Sequence, residues 1–252
     1  MTDIKKMFRF KYALGLCVLL LLLFKINYFL GYFFYEILDI PYDSLFANIA
    51  QIILHAVIFI FVIWVGLKDQ RKTLAKVCYF RKVSGGVWGA AILCSVGFVL
   101  FNFYIDFLFD SFKYGWYTDY EITDGNFIFN LINTAIIPAV AEEILFKGLV
   151  FTILKKHYST ITSVIMASLM FAGCHLNFIH LIPHFLFSLF TFWLYMRCGS
   201  LILPMFLHFI NNLFTFVLIS DPFANLGTFY AALVLLIIGS YLLYRLSKPE
   251  YH

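Results

Sequence analysis

The sequence predicts an all-α membrane protein, a polytopic bundle of about eight transmembrane helices with both termini in the cytoplasm. Of its 252 residues, 63% are hydrophobic and 13% are charged, whereas soluble chains are about 45–50% apolar and about 25% charged. The apolar residues are gathered into segments of about 20 residues, the length that a helix needs to cross the hydrocarbon core. Basic residues are concentrated in alternate connections, which is typical of cytoplasmic loops.

The apolar segments set the limits of the predicted spans. The first begins after a basic stretch, as a secretory signal does, but its apolar run continues from Phe24 to Phe34 with no cleavage site after it, so we interpret it as a retained span. The eight spans are expected at about 12–35, 46–67, 86–109, 126–154, 159–176, 179–196, 200–219 and 224–245.

The charges of the loops fix the orientation. With the N-terminus inside, all but three of the 18 lysines and arginines fall on the cytoplasmic side. The exceptions are Lys25 and Lys147 within spans and Lys113 in the third loop. That loop is otherwise acidic, as expected outside, with Asp110, Asp119, Glu121 and Asp124.

Short loops throughout predict a single membrane domain over residues 1–252. Residues 1–125 form spans without motifs, residues 126–219 form the core that carries the motifs described below, and residues 220–252 form the last span and a short tail. The net charge of +4 is modest, and most basic residues lie in short loops, so they indicate membrane orientation and not nucleic-acid binding. The five cysteines include no C-x-x-C pair, so neither a disulfide framework nor a structural zinc site is expected.

A few ionisable side chains lie inside the predicted spans. Glu142 and Glu143 are adjacent within the fourth span, where a carboxylate costs about 2.5–3.5 kcal/mol at mid-bilayer. His55 stands alone in the second span and is expected to hydrogen-bond between helices. Glu36 and Asp106 lie near the outer ends of their spans, where they reach water.

Four polar residues of the C-terminal half fall at similar depths. At 1.5 Å per residue from the cytoplasmic ends, Glu142 lies about 20 Å deep, His175 about 24 Å, His208 about 16 Å and Asn212 about 22 Å. Polar groups in hydrocarbon are expected to face the bundle interior and one another. The sequence therefore predicts one polar cavity shared by three helices.

Spacing within the fourth span separates the two glutamates. Glu143 and Lys147 are four residues apart, in the favourable order for an ion pair. Glu142 lies about 100° around the helix from Glu143. We therefore expect Glu143 to pair with Lys147 while Glu142 faces the cavity, where a carboxylate can act as a general base for water.

Three motifs in this region resemble those of the CPBP family of intramembrane proteases. They are E-E-I-L-F-K from Glu142, F-A-G-C-H from Phe171 and H-F-I-N-N from His208. The family patterns are EExxxR, FxxxH and HxxxN/D, and the family includes the type II CAAX prenyl proteases and the bacterial Abi proteins. The departure is Lys147, which stands where the family usually has arginine, and which keeps the charge but loses the planar bidentate fork.

The resemblance implies a metal-independent glutamate endopeptidase without a cofactor. Glu142 and His175 would activate a water, and His208 and Asn212 would donate hydrogen bonds to the developing oxyanion. Glu143 would be the fifth catalytic residue and would hold the site in shape together with Lys147. Lys147 and Phe171 would be the supporting residues. The partners would be the lipid bilayer and a peptide or protein substrate that can carry a lipid, and we expect a bacterial plasma membrane. The oligomeric state is not indicated.

Other functions stay open. Paired glutamates, like His208 with Asn212, can be buried hydrogen-bonding groups with no catalytic role. His180 and His184 could join His175 as zinc ligands of a membrane metalloprotease, although the chain lacks H-E-x-x-H. A binding protein for bacteriocin self-immunity could retain the fold without the chemistry. A transporter lacks support because no repeat is visible, and Cys174 is poorly placed as a nucleophile beside His175 because adjacent helical side chains diverge.

Overall fold

The computed structural model describes residues 2–41, 44–70, 73–111, 127–217 and 225–247. Within these ranges the regular structure is helical and contains no β-strand, which confirms the predicted all-α class. Four charges of the third loop that were used for the orientation lie outside the described residues: Lys113, Asp119, Glu121 and Asp124.

The helices follow one another with short connections. Helices α1 to α4 are Thr2–Glu36, Leu45–Gln70, Leu74–Val77 and Gly85–Ser111. The next run is continuous: α5 (Phe127–Asn130), a first π-helical segment (Leu131–Ile136), α6 (Ile137–Glu143), a second π-helical segment (Ile144–Val150) and α7 (Phe151–Lys155). The remaining helices are α8 (Thr160–Cys174), α9 (Leu181–Cys198), α10 (Ile202–Val217) and α11 (Leu226–Leu246).

Long apolar helices confirm a multi-pass membrane protein. In the described part of the chain, five helices are long and apolar enough to cross a membrane: Met7–Glu36, Leu45–Gln70, Gly85–Phe109, Leu181–Cys198 and Leu226–Leu246. Thr160–Cys174 and Ile202–Phe214 are shorter apolar helices. Each of the eight predicted spans coincides with one of these helices or with the run from α5 to α7. The number of membrane-spanning helices and the side of the membrane on which the termini lie stay predictions.

The chain divides into two compact units, each built from two chain segments. The first unit comprises Met1–Val77 and Tyr120–Ser163. In it α1 and α2 pack together, and the Asn27 side chain donates a hydrogen bond of 3.0 Å to Gln51 Oε1. Gly66 of α2 lies so close to the second π-helical segment that a Cβ there would overlap the Leu149 side chain. A helix that carries predicted site residues is thus held against α2.

The second unit comprises Cys78–Asp119 and Val164–His252, and α4 and α11 form its tightest helix pair. A Cβ on Gly239 of α11 would lie 2.5 Å from Cys94 Sγ and 3.1 Å from the Ala90 carbonyl oxygen. Small residues of this kind let helix backbones approach closely in membranes. A buried apolar cluster then joins α4 to α9, α10 and α11 through Val87, Ala90, Ala91, Cys94, Leu194, Leu203, Leu207 and Leu243.

Candidate active site

The helix that carries the two glutamates contains two π-helical segments. The Ile137 N–H donates to the Ile132 carbonyl and the Phe151 N–H donates to the Phe146 carbonyl, each five residues back. Pro138, which has no N–H to donate, stands in the first turn of α6 between the two π-helical segments. Short π-helical segments inside α-helices often occur at functional sites. Hydrophobic periodicity did not predict them, because it does not distinguish the two registers over one turn.

Glu143 and Lys147 form the ion pair that their spacing predicts. Lys147 Nζ lies 2.5 Å from Glu143 Oε2, and both side chains are completely buried. A buried pair of opposite charges is tolerated when the two groups neutralise each other at hydrogen-bond distance. Glu142 is only partly buried, and it lies about 100° around the helix from Glu143. The two adjacent glutamates therefore have different surroundings.

A histidine of α2 packs against α1 within the first unit. The His55 ring lies edge-on to Phe24 of α1, with centroids 5.2 Å apart. The hydrogen bond between helices that the sequence predicts for His55 stays a prediction.

In the second unit, the hydrogen bonds of His175 define which of its ring nitrogens carries the proton. His175 Nδ1 lies 2.9 Å from the Phe171 carbonyl oxygen. A carbonyl can only accept, so Nδ1 carries the hydrogen, and Nε2 has the lone pair that can act as a base. The Phe171 ring also packs on the His175 ring, with centroids 4.8 Å apart. The second motif therefore orients its own histidine.

The same phenylalanine connects the second motif to the third. The ring of His208, on α10, lies 5.7 Å from the Phe171 ring and 5.6 Å from the Phe187 ring of α9. His208 is 3% exposed, and Asn212, one turn further along α10, is partly buried. Two of the three motifs thus meet around the Phe171 ring.

His184, which the sequence suggested only as an alternative zinc ligand, is a direct neighbour of His175. The rings of His175 and His184 stack face to face, with centroids 3.9 Å apart and planes 22° apart. Nearly parallel rings direct their nitrogen lone pairs side by side, which does not favour binding of one metal ion by both. Across the described residues, no group of three or more His, Cys, Asp and Glu side chains is arranged to hold a metal ion.

The predicted site residues fall into two sets, one in each unit. The first unit holds Glu142, Glu143 and Lys147 on one continuous helix. The second unit holds Phe171, His175, His208 and Asn212. Within the second unit, Phe171 brings the two histidines together. The shared cavity and the catalytic role of each residue stay predictions.

A family model described as type II CAAX prenyl endopeptidase Rce1-like matches residues 124–214, a range that contains all seven predicted site residues. The match confirms the predicted resemblance to CAAX-type membrane proteases of the CPBP family over this segment of the chain. The match supports a CAAX-type intramembrane peptidase. Neither the curated proteins nor the solved structures contain a match to the chain.

Proposed function

We propose that the protein is an intramembrane glutamate-type endopeptidase that hydrolyses a peptide bond of a membrane-associated peptide or protein. Glu142 acts as the general base and His175 assists it in activating a water molecule. His208 and Asn212 donate hydrogen bonds to the oxyanion. Glu143 and Lys147 hold the glutamate helix in its working shape.

The observation that carries the proposal is the hydrogen bond from His175 Nδ1 to the Phe171 carbonyl, at 2.9 Å. This bond favours the tautomer with the hydrogen on Nδ1. In that tautomer His175 Nε2 can accept a hydrogen bond from water, as assisted attack by water requires. A histidine that only linked helices would not need its tautomer selected by its own motif.

The reaction can be written with groups of this chain alone. Glu142 removes a proton from water as the water oxygen attacks the carbonyl carbon of the substrate. The negative charge on the carbonyl oxygen is stabilised by His208 and Asn212, and a donor of this kind is worth about 2.7–4 kcal/mol in other enzymes. The tetrahedral intermediate then breaks its C–N bond, and the proton held by Glu142 passes to the leaving amine.

The substrate class follows from the position of the site and from the matched family. A site on apolar helices receives substrates from the bilayer, so we propose a peptide or protein that is itself membrane-associated. The family description names a prenyl endopeptidase, which supports substrates with a lipid near the C-terminus. We also propose the bacterial plasma membrane as the location.

Quantitative C-terminal proteomics of membrane fractions tests the proposal. Membranes containing the wild-type protein should yield a new C-terminus that is missing from membranes containing Glu142→Ala or His175→Ala at equal protein levels. Glu36→Gln changes an exposed carboxylate at the end of α1 and serves as the matched control, which should cleave normally. Equal cleavage by Glu142→Ala and the wild type would refute the proposal.

Lys147 favours a second candidate, a binding protein for bacteriocin self-immunity that keeps the fold without the chemistry. Lysine cannot reproduce the two parallel hydrogen bonds of the arginine that the family usually has. The two candidates differ in their response to Glu142→Gln, which keeps the size and polarity of the side chain but removes the base. An immunity phenotype that survives Glu142→Gln would favour the binding protein, whereas its loss would favour the peptidase.

A further inference from the structure

Helix α4 carries none of the three motifs and lies outside the matched residues 124–214. One of its faces nevertheless contacts the elements that hold the site residues of the second unit. The residues of this face, which we call the α4 stripe, are spaced three or four apart, so they project from one side of the helix. They are Ser95, Phe98, Asn102 and Asp106.

Two polar members of the α4 stripe bond to α10 next to its motif residues. Ser95 Oγ donates to the Leu207 carbonyl at 3.2 Å, directly before His208 in the chain. The Asn102 amide lies 3.5 Å from Asn211 Oδ1, directly before Asn212. Because both contacts are made at positions adjacent to the motif residues, they fix the rotation of α10 about its axis.

The aromatic member of the α4 stripe reaches the same histidine through one intermediate ring. Phe98 packs edge-on against Phe187 with centroids 5.3 Å apart. Phe187 in turn packs against the His208 ring at 5.6 Å. The α4 stripe therefore approaches α10 both by hydrogen bonds and through packed rings.

Asp106 makes the shortest of these polar contacts. Its Oδ1 lies 2.8 Å from His180 Nε2, and both side chains are mostly buried. His180 Nδ1 lies 3.1 Å from the Asn177 amide nitrogen. Asn177 Oδ1 accepts from the backbone N–H groups of Ile179 and His180 at 3.0 and 3.2 Å. The orientation of the Asn177 amide is thereby set, so its N–H donates to His180 Nδ1, and the ring proton lies on Nε2 facing Asp106.

This chain of hydrogen bonds fixes the turn between the candidate catalytic histidine and α9. The turn begins at Leu176, which has a positive φ of 51° that is unusual for a leucine. It ends where the His184 N–H bonds the His180 carbonyl at 2.9 Å, in the first turn of α9. His184 then stacks on His175 at 3.9 Å. Asp106 thus acts on the position of His175 through His180.

We propose that the α4 stripe positions the histidine and asparagine residues of the candidate site, and that Asp106, acting through His180, is its principal positioning residue. The inference rests on the proposed peptidase function, because it gives α4 a part in the same site. Asp106 does not touch the substrate. It holds the turn that places the His175 ring.

The kinetic test compares variants that remove or keep the Asp106–His180 bond. An internally quenched peptide that copies the cleavage site found by proteomics serves as the probe. Asp106→Leu and His180→Leu should each lower kcat by roughly 10- to 100-fold, because small displacements of a catalytic group cost about that much. KM should stay within about twofold, since the substrate contacts remain. Asp106→Asn keeps an acceptor oxygen and His180→Gln keeps a donor, so each should restore most of kcat.

The two leucine substitutions also form a double-mutant cycle. If they remove one shared contact, the double variant should be no slower than either single variant. Additive losses, or Asp106→Asn as slow as Asp106→Leu, would overturn the inference. Wild-type kcat in Asp106→Leu alongside an inactive Glu142→Ala would overturn it while leaving the peptidase intact. Cleavage by Glu142→Ala would instead overturn the proposed function.

Hydrogen exchange tests the inference even if no substrate is found. The amides of Ile179 and His180 are protected by Asn177 Oδ1, so Asp106→Leu should speed exchange across residues 176–180 by about tenfold or more. Asp106→Asn should change exchange little, and Glu36→Gln should change nothing there. Unchanged exchange in Asp106→Leu would show that Asp106 does not hold the turn.

Discussion

Replacing Lys147 by methionine should strongly destabilise the first unit. The substitution keeps the length and volume of the side chain but removes the positive charge that lies 2.5 Å from Glu143. Both side chains are completely buried, so the carboxylate loses its partner where water cannot replace it. Breaking a buried pair from one side costs roughly 3–5 kcal/mol. The free energy of unfolding, measured by reversible denaturation in mixed detergent micelles, should fall by about that amount.

Removing both charges should cost less than removing one. The double variant Glu143→Leu with Lys147→Met leaves no buried charge at the pair, and apolar replacements of such pairs are often close to neutral. Lys25→Met, at an exposed lysine of α1, is the matched control and should change the unfolding free energy by less than about 0.5 kcal/mol. A Lys147→Met variant as stable as the control, or a double variant whose loss equals the sum of the two single losses, would contradict this prediction.

Three further predictions concern the second unit. Gly239→Ala should lose about 1–3 kcal/mol of unfolding free energy because its Cβ would meet α4. The control Gly89→Ala adds a methyl group where no atom lies within 4 Å and should lose almost none. Equal stability of the two variants would contradict this. Arg197 donates hydrogen bonds to two carbonyls at the end of α11. Arg197→Ala should therefore lower the free energy of unfolding by about 1–2 kcal/mol, and an unchanged unfolding curve would contradict this. Burial raises the pKa of Cys78 to about 11. Alkylation of Cys78 at pH 8 should therefore be on the order of a hundredfold slower in the folded than in the urea-unfolded protein, and it should accelerate with pH up to about 11. Equal alkylation rates in mass-spectrometric mapping would contradict this.

The features that were predictable from the sequence are those set by local spacing. The Glu143–Lys147 ion pair and the packing of Phe171 on His175 each join residues four apart, and helical geometry alone places such side chains together. The all-α class was predictable for a similar reason. A long apolar segment in a bilayer must satisfy its own backbone hydrogen bonds, and a helix does so.

The features that were not predictable depend on contacts between distant parts of the chain. Asp106 was expected only to reach water near the end of its span, yet it bonds His180. The stack of His184 on His175 requires the chain to reverse at Leu176, and nothing in the sequence marks a positive φ at a leucine. The three histidines, His175, His180 and His184, were visible in the sequence as a group. Their spacing left a zinc site open as an alternative and did not predict the stacked pair.

The central claim, that Glu142 is the base of a peptidase, is tested most directly with purified protein in liposomes. The probe is the internally quenched peptide that copies a proteomically identified cleavage site, and a strong chelator is present throughout. We expect the wild-type protein to cleave the peptide in the chelator at its full rate. Folded Glu142→Ala should retain less than about a thousandth of that rate, because it loses both the general base and the water that this base orients. Cleavage by Glu142→Ala at a rate close to that of the wild type, or loss of wild-type cleavage in the chelator with recovery on adding zinc, would contradict it.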